Sequence, residues 1–344
     1  FRGGWSKERF GEDGRMWVRY LAPWNKCILC YNYILYLQKG NEMFHIFSHK
    51  PKAIFKGCLP ELDGHKIYFQ VLGNPNGKTI LNFHGGPGSK SKFKHIKHFD
   101  LKNYKVIIFD QRGCGNSEFK DLFYKNTTQD TIKDAKRILD FLNIKEKVIS
   151  FGGSWGSTLA LLFAETYPDL VDKIIVSQTF LARKKDVDWT YKDSKMFYPD
   201  IIEKLSPYLI NTHKDLENLL KQSNAKIKKT VKYLTNYDYQ IGKLKINLDE
   251  ELGDSTTNSF KVYMHYNTNN YFIKENEIIE NIAKIKNIPT LIIGNRLDFC
   301  TPLEQAYTLH KAMPKSTLHI IDSFGHGSKR QNKLLPKLIK EFLG

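Results

Sequence analysis

The segment "FGGSWGSTLALLFAETYP", residues 151–168, sets the tightest limit on how this chain can fold. It follows the apolar run "KVIS" and leads into a helical pattern that stops at Pro168, so it marks a strand turning directly into a helix. Gly152, Gly153 and Gly156 surround Ser154, which is three glycines in five positions. A plain turn needs one glycine at most, so the excess implies crowding that side chains would not survive. Backbone must approach Ser154 from more than one side.

The rest of the chain supplies the matching architecture. From about residue 58, strand-like runs ("HKIYFQVLG", "KTILNFHGG", "YKVIIFDQRG", "KVISFGG", "DKIIVSQTF") alternate with helical ones. Ile132, Ala135, Ile138, Leu139 and Leu142 recur at three- and four-residue steps, which predicts a helix over residues 130–142. Such alternation predicts an α/β fold, a mostly parallel sheet with helices on both faces. The rhythm fails between Ala182 and Lys274, where the chain is polar and partly helical. It resumes with "IPTLIIGNRLD", the helix "TPLEQAYTLHKAMP", the strand "STLHIIDSFGHG" and a closing helix near "NKLLPKLIKEFL". The expected organisation is an extension of uncertain order at 1–50, a core at 51–181 and 275–344, and an inserted, mainly helical cap at 182–274. No internal repeat or long low-complexity run competes with this reading.

The formal net charge of +17 raises nucleic-acid binding as an alternative. Lysine supplies 44 of the 53 basic residues and arginine only 9. Arginine is the residue suited to bidentate phosphate and base contacts, so solvated lysine is preferred and no nucleic-acid partner is expected. No run approaches the length of a membrane span, so a soluble protein is expected. The five cysteines (Cys27, Cys30, Cys58, Cys114 and Cys300) show no disulfide spacing, and the single C-x-x-C has no second pair at zinc-finger distance. Free thiols in a reducing, cytoplasmic setting fit best. The chain opens on Phe1, with Met43 as a plausible start, and "CILCYNYILYL" resembles a signal h-region in length, but Asn32 and tyrosines interrupt it. An appended extension is the preferred reading.

"GGSWG" fits G-x-S-x-G in the context a nucleophile elbow demands, strand before and helix after. A serine nucleophile needs a base, and the base needs an orienting acid. Asp298 follows the strand "TLIIGNRLD" and His326 follows "TLHIIDSFGH", each just past a strand's carboxyl end, where open α/β sheets bind ligands. Plainer roles compete: Asp298 as the cap of the helix near Pro302, His326 as a turn residue between Gly325 and Gly327. The order Ser154, Asp298, His326 favours a triad. "NFHGGPG", residues 82–88, carries more glycine than a Gly-Pro turn needs, so the Gly86 and Trp155 N–H groups are the expected oxyanion donors.

"HGGPG", "DQRGCGNS", "GGSWGSTLAL", "GNRLDFCTP" and "FGHG", in this order and spacing, resemble the proline iminopeptidases of the α/β-hydrolase fold, over roughly residues 54–344. The resemblance implies a serine hydrolase that releases an N-terminal residue, often proline, through an acyl-enzyme, with no metal or organic cofactor. A peptide or small molecule is then the partner, and an oligomer stays open. His84, Asp110 and Arg112 are expected to brace the site loops, and Cys114 in the same loop to be a buried thiol or a point of thiol-reagent sensitivity.

An aminopeptidase must also hold a free α-amine, which calls for a carboxylate. The family supplies glutamates from the cap, in segments like "W-E-G" and "R-I-E-x-H-Y-F". Here Thr268 stands where the second glutamate would be, in "HYNTNNYF", and no "WEG" occurs. Asp238, in "YDY", is the nearest candidate amine ligand, against the alternative of a solvated cap residue. The departure keeps an esterase or amidase with a small neutral acyl substrate as the alternative, and a non-catalytic binding protein as the third reading.

Overall fold

The computed structural model describes residues 52–253 and 256–344, together with the backbone of five strands before them. It divides into two compact units, Phe1–Lys52 and Ala53–Gly344. In the first unit β1 (Trp5–Phe10), β2 (Met16–Tyr20), β3 (Cys27–Tyr31), β4 (Ile34–Lys39) and β5 (Glu42–Ser48) pair in sequential order, all antiparallel. The expectations attached to Phe1 and to the Cys27–Cys30 pair lie outside the described side chains.

The second unit is built on β6 (Phe55–Cys58), β8 (Tyr68–Gly73), β9 (Lys78–Phe83), β10 (Tyr104–Phe109), β12 (Val148–Gly153), β13 (Val171–Ser177), β14 (Thr290–Leu297) and β15 (Ser316–Phe324). Their order is β15-β14-β13-β12-β9-β10-β8-β6. Every neighbouring pair from β15 to β10 is parallel, and β8 alone is reversed, pairing antiparallel with β10 on one side and with the edge strand β6 on the other. The chain leaves β9 for β10 on one side, then crosses back through α1 (Thr128–Phe141) to β12 on the other. That reversal opens a crevice at the carboxyl ends of β9 and β12, where such sheets take ligands.

Period-two burial explains the two faces. Leu81 and Phe83 of β9, with Ile107 and Phe109 of β10, belong to one apolar cluster. Ile80, Val106 and Ile108 from the same strands belong to another on the opposite face. Helix α1, α2 (Trp155–Thr166) and α9 (Leu303–Ala312) cover the first face, and α10 (Lys329–Leu343) the second. Thr127 starts α1 by accepting the Asp130 N–H, as an N-cap should. Every residue of α2 from Trp155 to Glu165 is buried, which makes it a core helix rather than a surface one.

The run "HKIYFQVLG" does not form one strand. His65–Lys66 (β7) pairs with Glu118–Phe119 (β11) in a separate ribbon, and Tyr68 N donates to Ser117 Oγ at 2.9 Å, so the ladder restarts at β8. Between β13 and β14 lie α3 (Lys184–Tyr191), α4 (Pro199–Leu205), α5 (His213–Leu220), α6 (Asn224–Gln240), α7 (Thr256–Thr268) and α8 (Glu277–Glu280). Leu216, Leu234, Tyr237, Phe260 and Met264 there form an apolar cluster of their own. None of the described helices is long and apolar enough to cross a membrane.

One core group opposes this packing. Glu165 is 5% exposed and neither carboxyl oxygen has a hydrogen-bond partner. Burial pushes its pKa up to about 8, opposed by Lys284 and reinforced by Glu277. The folded chain therefore keeps a proton that the unfolded chain releases above about pH 4.3, and stability falls as pH rises from there towards 8. Glu165→Gln removes that dependence. In thermal melts its advantage over the parent is small near pH 5 and grows to a few kcal/mol (about 2–4) near pH 8.

Candidate active site

The elbow is as crowded as its glycines imply. A Cβ at Gly152 would run into the Gly156 carbonyl, and one at Gly156 into the Phe83 carbonyl, so β9, β12 and the start of α2 meet backbone to backbone. Ser154, between them, has φ 57° and ψ −133°, a conformation L-residues rarely adopt. Its N–H donates to Ser177 O at 3.0 Å, and its carbonyl accepts from Ser157 N and Oγ at 2.8 and 2.6 Å. The backbone is thus pinned while the side chain stays half-exposed at the N-terminus of α2.

The loop after β9 reaches the same point. A Cβ on Gly85 would sit 3.4 Å from Ser154 Cβ, and Gly86 takes φ 126°, open only to glycine. His84, 1% exposed, holds this loop. Gln111 N donates to its Nε2 at 3.1 Å, so Nδ1 carries the proton and donates to Gly85 O at 2.8 Å. Burial lowers the His84 pKa and keeps the ring neutral. Gln111 also donates from Nε2 to His84 O at 2.8 Å and accepts from Trp155 Nε1 at 3.1 Å, tying the loop to α2.

Asp110 and Arg112 serve neighbouring loops. Asp110 accepts from Ser91 N and Oγ at 2.7 and 2.6 Å and from Asn116 N at 2.8 Å. Arg112, 1% exposed, donates from Nε to Asp134 Oδ2 at 2.6 Å and from Nη2 to Oδ1 at 3.1 Å, and reaches Lys125 O at 2.5 Å. Asp134 also receives Arg137 at 2.9 Å. Removing one partner of so buried a pair typically costs about 3–5 kcal/mol. Cys114 is buried and donates weakly to Arg112 O at 3.4 Å, and its thiol pKa is raised by burial.

Asp298 and His326 come together from the ends of β14 and β15. His326 Nδ1 lies 2.8 Å from Asp298 Oδ2 and 3.1 Å from Oδ1. Asp298 also accepts from Cys300 N at 2.9 Å and from Thr301 N and Oγ1 at 3.0 and 3.2 Å. With Asp298 only an acceptor, Nδ1 carries the ring proton and Nε2 keeps a lone pair. Asp298 does not cap α9, whose N-cap is Pro302. His326 does stand in a turn, with Gly325 at φ 90° and Gly327 at φ 67°, and Asn295 Nδ2 fixes it by donating to Gly325 O at 2.8 Å. Gln178, at φ 52°, spans the gap to the elbow: Cβ atoms on Gly327 and Gly153 would lie 3.4 and 3.7 Å from its side-chain amide. Among the described residues, Ser154 Oγ makes no hydrogen bond to His326. Catalytic contacts of that kind often tighten only with substrate bound.

In α6, Asp238 accepts from Tyr191 OH at 2.7 Å, and its carbonyl accepts from Cys300 Sγ at 3.5 Å. The backbone of α6 at Asp238, rather than its carboxylate, therefore touches the loop that carries Asp298. Burial raises its pKa to about 7, with the Tyr191 bond opposing. Tyr191 and Tyr263 are raised well above the ordinary phenol value, by burial first and then by Asp238. Thr268 spends its hydroxyl on its own helix, donating to Met264 O at 2.7 Å. Gln111 and Tyr191 escape a sequence reading because their partners lie far away in the chain, Gln111 bonding His84 and Trp155 and Tyr191 bonding Asp238.

A family model described as alpha/beta hydrolase fold matches residues 78–329. A solved structure of MGS-M2, an alpha/beta hydrolase enzyme from a Medee basin deep-sea metagenome library, superposes with TM-score 0.56 at 22% identity, covering 84% of this chain and 97% of that one. The chain is a hydrolase of the α/β-hydrolase fold. A Mycoplasma genitalium protein provisionally named proline iminopeptidase is 34% identical over 317 residues, 85% of this chain and 99% of that protein. The proline iminopeptidase of Arabidopsis thaliana is 31% identical over 287 residues, 79% of this chain and 75% of that protein. With these relatives, the chain belongs to the proline iminopeptidase family.

Proposed function

We propose that this protein is a serine exopeptidase that releases N-terminal proline, or another N-terminal residue, from peptides through an acyl-enzyme. The observation that carries the reading is the Asp298–His326 hydrogen bond at Nδ1, which leaves Nε2 its lone pair, in a chain that also holds Ser154 in a strained elbow. Ser154 Oγ attacks the carbonyl of the first residue while His326 Nε2 takes its proton. Asp298 holds the Nδ1–H and stabilises the imidazolium. The Gly86 and Trp155 N–H groups receive the developing oxyanion, at the positive end of α2. The amine leaves with the proton from His326, and water then releases the acyl group. His84, Asp110 and Arg112 position these loops. The free thiols of Cys58, Cys114 and Cys300 favour a reducing, cytoplasmic setting.

Asp238 is the proposed ligand of the substrate ammonium; its carboxylate is held by Tyr191 OH on a helix whose backbone touches the Asp298 loop, which supports that role. The loss of the second carboxylate at Thr268 favours a second reading, an esterase or amidase for a small neutral acyl group. Proline β-naphthylamide, N-blocked proline amide and p-nitrophenyl acetate, assayed in parallel, separate the two. The expected result is preferred cleavage of the free-amine substrate, with kcat/KM lowered at least about 10⁴-fold in Ser154→Ala. Turnover of the ester or blocked substrate alone overturns the exopeptidase reading.

The burial of Asp238 sets a pH dependence. With its pKa raised to about 7, Asp238 is neutral below that pH and a carboxylate above it, so the ion pair with an ammonium is lost as pH falls through 7. KM for proline β-naphthylamide should rise on the acid side of 7. In Asp238→Asn, KM should be high at every pH and that limb should be missing. An unchanged acid limb in the variant removes Asp238 from substrate binding.

A further inference from the structure

Among the described residues, one group of side chains is arranged to gather a metal ion: an Asp298 carboxylate oxygen, Cys300 Sγ and a His326 ring nitrogen, all within 4.8 Å of one another. We propose that this is an inhibitory binding site for a thiophilic divalent cation, Zn²⁺ being the biological case. The site stands on its own geometry, and only its effect on turnover rests on the proposed triad.

Thiolate, imidazole and carboxylate are the three protein donors of zinc, at about 2.3, 2.0–2.1 and 2.0–2.2 Å. Around a tetrahedral ion, ligand atoms at such distances stand about 3.4 Å apart. The observed spread is therefore closed by shifts on the order of 1 Å in side chains that already face one another. Asp298 is held in place by the Cys300 and Thr301 amides and needs no reorientation. Cys300 gives up only one long S–H bond, to Asp238 O at 3.5 Å. The side chain of His326 is 27% exposed, Cys300 is half-buried and the Asp298 side chain is 1% exposed, so an ion would enter from the His326 side and keep a water as fourth ligand there.

The consequence for the base follows from proton bookkeeping. On binding, the Cys300 S–H bond breaks, a Zn–S bond forms and that proton goes to solvent. The metal takes His326 Nδ1 in place of the proton shared with Asp298, and the displaced proton returns to the ring through water at Nε2. The imidazole stays neutral in the opposite tautomer. Nε2 then has no lone pair for the Ser154 proton, and Asp298 becomes a metal ligand rather than the orienting acceptor. The ion silences the base without filling the acyl pocket.

The test uses the full chain carrying Cys27→Ser, Cys30→Ser and Cys58→Ser, which removes the competing pair and the exposed thiol. Cadmium is titrated in, and the ultraviolet thiolate-to-cadmium band is followed together with hydrolysis of whichever substrate the protein turns over. A band that saturates at one ion per chain is expected, with activity lost in step and restored by a chelator. Adding Cys300→Ser should abolish the band and raise the Zn²⁺ concentration for half-inhibition about 100-fold or more. A saturable, Cys300-dependent band on a protein inactive towards every substrate supports the site and counts against the proposed function alone. No band at one equivalent, or a band that survives Cys300→Ser, overturns the site.

Discussion

The close approach of three backbones at Gly152, Gly156 and Phe83 is the constraint on which the rest of the structure depends. It forces Ser154 into a positive φ that costs on the order of 1–3 kcal/mol in a non-glycine residue. The strain persists because helix α2 is buried from Trp155 to Glu165. Leu159, Leu161 and Phe163 are each fully buried, and burial of one such side chain contributes about 1.5–3 kcal/mol. The helix cannot relax outward without exposing that surface. Ser154 is consequently presented at the helix N-terminus by packing, without a side-chain cap.

The remaining site residues reach Ser154 through loops, and polar contacts hold those loops. His84, Gln111 and Trp155 form a chain of hydrogen bonds from the loop after β9 to α2. Arg112 and Asp134 pin the next loop to α1, with both charges satisfied in the interior. Asn295 performs the same task for the His326 turn. Each contact is modest alone, about 1 kcal/mol for a neutral hydrogen bond, but a lost partner leaves a buried polar group with no water to replace it. Rigidity here comes from satisfied polar groups as much as from apolar packing.

Legibility in the sequence followed locality. The elbow, the alternation of strands and the order Ser154, Asp298, His326 can be read because glycine spacing, apolar period and chain order are written in short windows. The core strands from β9 to β15 fall where their apolar runs predict. The break between β7 and β8 was not readable, because it depends on Ser117, which arrives from 49 residues away. The Asp238–Tyr191 contact, across 47 residues from α6 to α3, is hidden for the same reason. Thr268 was visible as a missing carboxylate, yet only the structure shows its hydroxyl turned back into its own helix.

Among the helices between β13 and β14, Asp238 is a carboxylate with a pKa raised by burial, hydrogen-bonded to Tyr191. The proposed function stands or falls on Ser154 being the group that is acylated. Treatment with a fluorophosphonate, followed by intact-mass measurement and peptide mapping, tests this most directly. The account predicts one adduct per chain, on Ser154, and none in Ser154→Ala. A folded protein that takes no adduct, or takes it on another residue, would contradict it.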